Sequence, residues 1–232
     1  MSSPSSQSAP GYLWVFSEPG KSATLEEFQA PTDARPTRRA DWYDNEHVPL
    51  RMQHIPEFET GARYQAADGF SPGWSAAYDI RSVALFSDPK YTRLRANRSK
   101  REGELVARLE VLDRRTAEKL GETSPPPPAN EAPAFVLTLA GDERPDGQKD
   151  LERFKDVKGW RRSHYHHVYD SLIIGYGRQP ESNVAPKYAV IHEFDTEDYL
   201  ESPVFKEATE GTKEVRRWKL YKATPNTAPA DT

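Results

Sequence analysis

The chain has no cysteine anywhere in its 232 residues. That excludes a disulfide scaffold, a thiolate metal site and a cysteine nucleophile. Long apolar runs are missing too. Hydrophobic residues make up 36% of the chain, and no stretch approaches the roughly 20 apolar residues a membrane span needs. Nor is there an excess of one charge: 32 basic and 36 acidic residues are well mixed, for a net charge of −4. A nucleic-acid partner would call for a basic stripe, and none exists. The basic stretch 95–101 is followed at once by Glu102, Glu104 and Glu110, so it reads as a solvated helix face. Residues 1–10 have neither the basic start nor the apolar middle of a signal peptide and read as a disordered leader. A soluble, cytoplasmic protein with no membrane partner is expected.

What the sequence does contain is concentrated at residues 41–51, Asp-Trp-Tyr-Asp-Asn-Glu-His-Val-Pro-Leu-Arg. At helical spacing Tyr43, Asp44, His47 and Arg51 share one side, because residues three and four apart are neighbours on a helix. An acid beside a histidine is the minimum arrangement for moving a proton near neutral pH. His47 is therefore the candidate general acid or base, with Asp44 orienting it and Tyr43 donating a proton or hydrogen bond. Arg51 is placed to hold an enolate or carboxylate. Pro49 is expected to kink or end the helix spanning 40–54. The plainer reading is a local salt-bridge cluster on a surface helix.

Taken in order, β-forming residues predict strands at 12–16, 58–64 and 74–80, and 109–116 reads as a strand or, alternatively, as an extension of the preceding helix. Helices are expected at 24–28 and from Asp88-Pro89 onward, with a break near Ser99. The proline run within 123–132 can be neither helix nor central strand, and marks a stiff linker. Beyond it the same order returns: a strand at 135–139, a short helix at 150–155, and strands at 160–166, 185–194 and 214–221. Residues 224–232 read as a disordered tail. Residues 160–166 line up with 58–64, residues 185–194 with 71–80, and Ser202-Pro203 with Asp88-Pro89. One insertion, at 171–184, separates the first anchor from the other two. The pattern is a tandem repeat of two βαββαβ units, residues 11–122 and 133–223. Each unit presents a four-stranded antiparallel sheet with helices on one face only, leaving an apolar face to cover. Two such faces pairing within one chain give an α+β fold: two tandem ferredoxin-like units forming an intrachain α+β barrel. The space enclosed between the sheets is the expected ligand site, with His47 facing into it.

The run from Trp42 to Arg51, with Phe58, Arg63 and Tyr64 after it, resembles the EthD-like branch of the dimeric α+β barrel superfamily, in particular its duplicated fungal members. The resemblance covers most of both halves. It implies small-molecule chemistry of one of several kinds: cofactor-free monooxygenation, lactone isomerisation, polyketide cyclisation, dehydration or decarboxylation, or haem chemistry. The sequence departs from the family pattern twice. An insertion with two prolines at 29–39 precedes the motif, and the second half carries no copy of the Glu-His pair.

Other residues suggest contacts. Trp14, Trp42, Tyr64, Trp74 and Tyr78 are aromatics able to stack on a flat substrate, although strand aromatics are usually core. His164 and His166 share a strand face, and His192 lies on the strand expected to pair with theirs. All three are expected substrate contacts, and as a set they have the ligand count of an open metal site.

The reading is a cofactor-independent proton-transfer enzyme, a dehydratase, decarboxylase, cyclase or isomerase, acting on an aromatic or polyketide-like small molecule. The alternatives are a non-catalytic small-molecule binding protein with the same barrel, and a metal-dependent enzyme using His164, His166 and His192. A homodimer is compatible with each.

Overall fold

A computed structural model describes residues 9–29, 42–128 and 131–229. The nine strands are β1 (Gly11–Glu18), β2 (Ala62–Ala66), β3 (Trp74–Ile80), β4 (Val111–Glu122), β5 (Phe135–Gly141), β6 (Trp160–Ile174), β7 (Glu181–Ser182), β8 (Tyr188–Phe194) and β9 (Glu214–Ala223). Eight of them close into an antiparallel barrel in the order β4-β1-β3-β2-β9-β5-β8-β6, and β6 returns to β4. The short β7 pairs only with β6. The protein is thus α+β, with one continuous sheet and few helices. Two seams join the halves, β2 against β9 and β4 against β6.

Side chains alternate across a strand, and in a closed barrel both faces of each strand are covered. Along β1, Tyr12, Trp14 and Phe16 point into the barrel, while Leu13 and Val15 pack beneath the helices. Every residue of β3 is buried for the same reason. The barrel interior is a packed core. Phe16 stacks on Trp218 of β9, with ring centroids 5.3 Å apart, and charged residues close both ends. At one end Asp79 receives hydrogen bonds from Lys119 (2.9 Å) and Arg162 (3.0 Å), and Arg162 also grips Glu193 (2.8 Å). Pro127, Pro128 and Pro133 lie over this end, around a cavity of only ≈ 30 Å³. The ligand space expected between the sheets narrows to that cavity at this end, and at the other end a wider hollow of ≈ 520 Å³ is lined by Phe16, Arg115 and Arg216.

Helices cover the outside. In the first half these are α1 (Leu25–Phe28), α2 (Pro49–Met52), α3 (Pro89–Ala96) and α4 (Lys100–Val106), and in the second α5 (Gly147–Leu151) and α6 (Pro203–Thr209). Asp88 caps α3 by accepting from the Lys90 amide at 2.7 Å, and Ser202 caps α6 by accepting from the Val204 amide at 3.2 Å. Each is followed by the proline that suits the first helical position.

Several boundaries differ from the sequence reading. The strand expected at 58–64 begins at Ala62, and Phe58 makes only an isolated bridge to Ile80. The strand expected at 109–116 runs on to Glu122, because β6 pairs with it along that length. Part of the 171–184 insertion is absorbed as the far end of β6. The short helix expected at 150–155 forms instead at α5. Residues 1–8, 30–41, 129–130 and 230–232 lie outside the described residues, and with them most of the leader, most of the 29–39 insertion and the start of the 40–54 helix. No helix among the described residues is long and apolar enough to cross a membrane.

Candidate functional site

Pro49 shapes the motif. It supplies no amide hydrogen and its ring crowds the preceding turn. The chain answers by widening into a π-turn at Tyr43–His47, in which the Val48 amide reaches back five residues to the Tyr43 carbonyl at 2.9 Å. Such single π-turns often mark functional sites. After it the Arg51 amide bonds to the Val48 carbonyl, and the Arg51 side chain donates to the His47 carbonyl at 2.6 Å. Arg51, placed in the sequence reading to hold a substrate anion, thus spends this hydrogen bond on the turn carrying His47.

The carboxylate expected beside His47 was Asp44. Asp44 instead bonds to Arg63 at 3.0 Å and Lys222 at 2.8 Å, which ties the turn to β2 and β9. Arg63 is buried, and its guanidinium lies 4.1 Å from the Tyr43 ring centroid. The orienting contact comes from Glu102 of α4, whose Oε1 accepts from His47 Nδ1 at 2.8 Å. Only 3% of the Glu102 side chain and 15% of the His47 side chain are exposed. Burial and the nearby Arg51 lower the His47 pKa to about 4, against the opposing pull of Glu102. Burial alone would favour a neutral Glu102, but the hydrogen bond from His47 and the nearby cations keep its carboxyl below the usual range. The pair at neutral pH is a neutral imidazole donating Nδ1–H to a carboxylate. That fixes the tautomer and leaves the Nε2 lone pair as a base.

His47 lines a hollow of ≈ 40 Å³ between the outer face of the first-half sheet and the helix layer. Trp42, Tyr43, Tyr78, Arg51 and Arg114 line it as well. The expectation that His47 faces the space between the sheets is corrected: it sits on the other side of the sheet. Three buried donors on these lining residues, Trp42 Nε1, Arg114 Nε and the Tyr78 hydroxyl, have no hydrogen-bond partner among the described residues. Buried donors are rarely left so. Burial raises the pKa of both Tyr43 and Tyr78, so these phenols remain protonated. Arg95 and the exposed Arg98 form the rim.

The structure does not bring the other expected contacts to this hollow. Trp14 and Tyr64 belong to the barrel core, and Trp74 packs among the first-half helices beside Tyr221. His164 and His166 point into the barrel, where His164 Nδ1 meets His166 Nε2 at 2.6 Å and His164 Nε2 meets Glu193 at 3.1 Å. His192 pairs across the strands with Ser163, one residue out of step with His164. It therefore points to the opposite sheet face, and the three imidazoles do not converge. No group of three metal-ligating side chains exists among the described residues. The metal-site reading of this trio is withdrawn on that geometry.

Sequence reasoning missed Glu102 and Arg114. Glu102 sat in a run taken for a solvated face, yet it is buried. The available signal was Ser99, which caps α4 and accepts from the Glu102 amide at 3.0 Å. A Ser followed three residues later by Glu announces a helix start. It does not announce a partner in a distant turn.

No protein-family model matches the chain, and no curated protein matches it. Among solved structures, an anthrone oxidase-like protein is similar over 94% of this chain and 94% of its own, at 10% identity and a TM-score of 0.53. A Fusobacterium nucleatum protein described as a "Putative monooxygenase" overlaps 97% of each chain at 9% identity, but its TM-score of 0.45 carries no argument. The first likeness shows the fold.

Proposed function

We propose that this chain is a cofactor-independent proton-transfer enzyme acting on an aromatic or polyketide-like small molecule in the hollow lined by His47. His47 Nε2 takes a proton from a carbon next to a carbonyl, or conjugated with one through a ring, and the electron pair is delocalised onto the carbonyl oxygen as an enolate or its ring-conjugated equivalent. Glu102 holds the imidazole and stabilises the imidazolium that forms. Trp42 Nε1, Arg114 Nε and the Tyr43 and Tyr78 phenols are the donors for the developing oxyanion. One observation carries this reading: a histidine–carboxylate pair lines the same hollow as three buried donors that lack partners. The hollow has room for about three waters, so a ring-sized substrate must displace the Arg95 and Arg98 side chains at its rim.

The same reading places the chain in the EthD-like branch, as two ferredoxin-like units in tandem. Support comes from the strand order, β4-β1-β3-β2 in the first half and β9-β5-β8-β6 in the second, and from the matching caps Asp88 and Ser202. Dehydration, decarboxylation, cyclisation and isomerisation all begin or end with such a proton transfer.

The test uses 9-anthrone, a flat ketone with acidic methylene hydrogens. The protein should catalyse deuterium incorporation at that methylene from D2O, read by NMR, and His47→Gln should abolish the catalysed exchange while binding persists. A His47→Gln variant that exchanges at the wild-type rate removes the assignment. Saturable binding by wild type without catalysed exchange supports the non-catalytic binding alternative.

A further inference from the structure

The second half has its own hollow in the corresponding place, between the outer face of β5 and β8 and the helices α5 and α6. It encloses ≈ 370 Å³ and is lined by Leu139, Val190, Ala208 and His192, among others. No role described so far uses it. His192 occupies the strand position that Tyr78 occupies in the first half: Tyr78 lies across from Leu13, and His192 lies across from Leu137. One lines the first hollow and the other lines the second.

The His192 ring is fully buried, and its hydrogen bonding is decided by its neighbours. Trp160 Nε1 donates to Ser163 Oγ at 2.9 Å, and Ser163 Oγ lies 2.7 Å from His192 Nδ1. An indole nitrogen can only donate. The serine oxygen receives the tryptophan hydrogen, and Nδ1 is the one acceptor that the described residues offer to its own hydrogen. The proton on the imidazole is then at Nε2. That atom has no hydrogen-bond partner among the described residues, although buried N–H groups normally find an acceptor. Burial lowers the pKa of this histidine to about 3, so the ring is neutral at working pH. A neutral Nε2–H donor has no lone pair for a cation.

The rim argues against an anion. Lys213 is paired with Asp142 at 2.8 Å, and Arg153 is paired with Asp150. Glu143 adds a further acidic group to the lining. The positive charges are already matched, so a carboxylate or phosphate would meet a rim that repels it. The floor of Leu139, Val190 and Ala208 offers an apolar ring a surface to bury against.

We propose that this hollow is a second small-molecule site, which takes a neutral ring compound bearing a carbonyl whose oxygen accepts from His192 Nε2–H once the ligand displaces the side chains that cover the ring. Trp160 and Ser163 set the tautomer and are positioning residues. The site is independent of His47 and needs no second catalytic pair.

The experiment titrates the full-length protein with 1-tetralone, a neutral bicyclic ketone, and follows the histidine ring nitrogens by long-range proton–nitrogen NMR. Before ligand, His192 should show a protonated Nε2 and a bare Nδ1. With ligand, the Nε2 signal should shift along a saturable curve. His192→Phe removes the donor, and Val190→Trp fills the hollow from its floor. Each folded variant should bind at least tenfold more weakly. An Nδ1-protonated tautomer, no saturable shift at His192, or folded variants that bind as tightly as wild type would each overturn the proposal. Should either variant fail to fold, the wild-type nitrogen spectrum still decides it.

Discussion

Asp68, two residues past the end of β2, receives a hydrogen bond from Arg216 of β9 at 2.9 Å, which fastens the first half to the second. The reverse bond exists: Asp170 of β6 receives one from Arg114 of β4 at 2.5 Å. Asp170 stands as far after Asp68 in the chain as Arg216 stands after Arg114. The two ion pairs are the same interaction made twice, once across each seam.

Their surroundings differ, and so should their worth. The side chains of Asp68 and Arg216 are 5% and 9% exposed, whereas that of Asp170 is 44% exposed. Removing one partner of a buried pair leaves an uncompensated charge and costs about 3–5 kcal/mol, while an exposed partner is worth about 1 kcal/mol or less. Asp68→Ala should therefore destabilise far more than Asp170→Ala in urea unfolding. Equal losses would show that the seams do not depend on these contacts.

For the proposed catalysis, His47→Ala should lower catalysed exchange on 9-anthrone by about 10²–10⁴-fold, the range typical of a lost general base. The active form is neutral His47. Activity should rise with pH through about 4 and stay level toward neutrality. Glu102→Gln removes the charge that raises the His47 pKa. The acid limb should move lower still, and the plateau rate should fall because a weaker base accepts the proton. A limb near 6.5 in both proteins would mean that His47 is not held as described.

The unpaired donors give a separate expectation. Trp42→Phe keeps the ring and deletes Nε1–H, and Arg114→Met keeps the stem and deletes the guanidinium. Each should slow exchange by about 10²-fold or more if its donor serves the oxyanion. A loss confined to KM would point to binding of the ground state instead.

Acid should weaken the fold early. His47, His164, His166 and His192 all have lowered pKa values, with burial the first cause in each case. Between about pH 6.5 and 4 the unfolded chain takes up protons that folded His47 and His192 refuse, and His164 and His166 act in the same direction. Their contribution is complete above about 6.5 and is lost as pH falls, at about 1.4 kcal/mol per pH unit for each of His47 and His192. Urea midpoints at about pH 7.5, 6 and 5 should fall steadily. Stability unchanged down to pH 5 would contradict the buried neutral rings.

Local chemistry was legible in the sequence, and long-range pairing was not. β1 showed as a run of β-formers, and the Asp88-Pro89 and Ser202-Pro203 starts showed because a cap and a proline act on their own turn. The importance of residues 41–51 was visible from composition alone. The partner of His47 was not: Asp44 lies three residues away, Glu102 fifty-five, and only the folded sheet decides between them. The face each histidine presents was equally hidden. It depends on a register that sets Ser163, and not His164, across from His192.

The two seams are unequal in length. β4 runs beside β6 from Leu112 to Glu122, while β2 meets β9 only from Ala62 to Ala66. When the ring of strands breathes, it should part at the shorter join and swing on the longer one. Tyr64 and Trp218 would then be the first core residues to meet water.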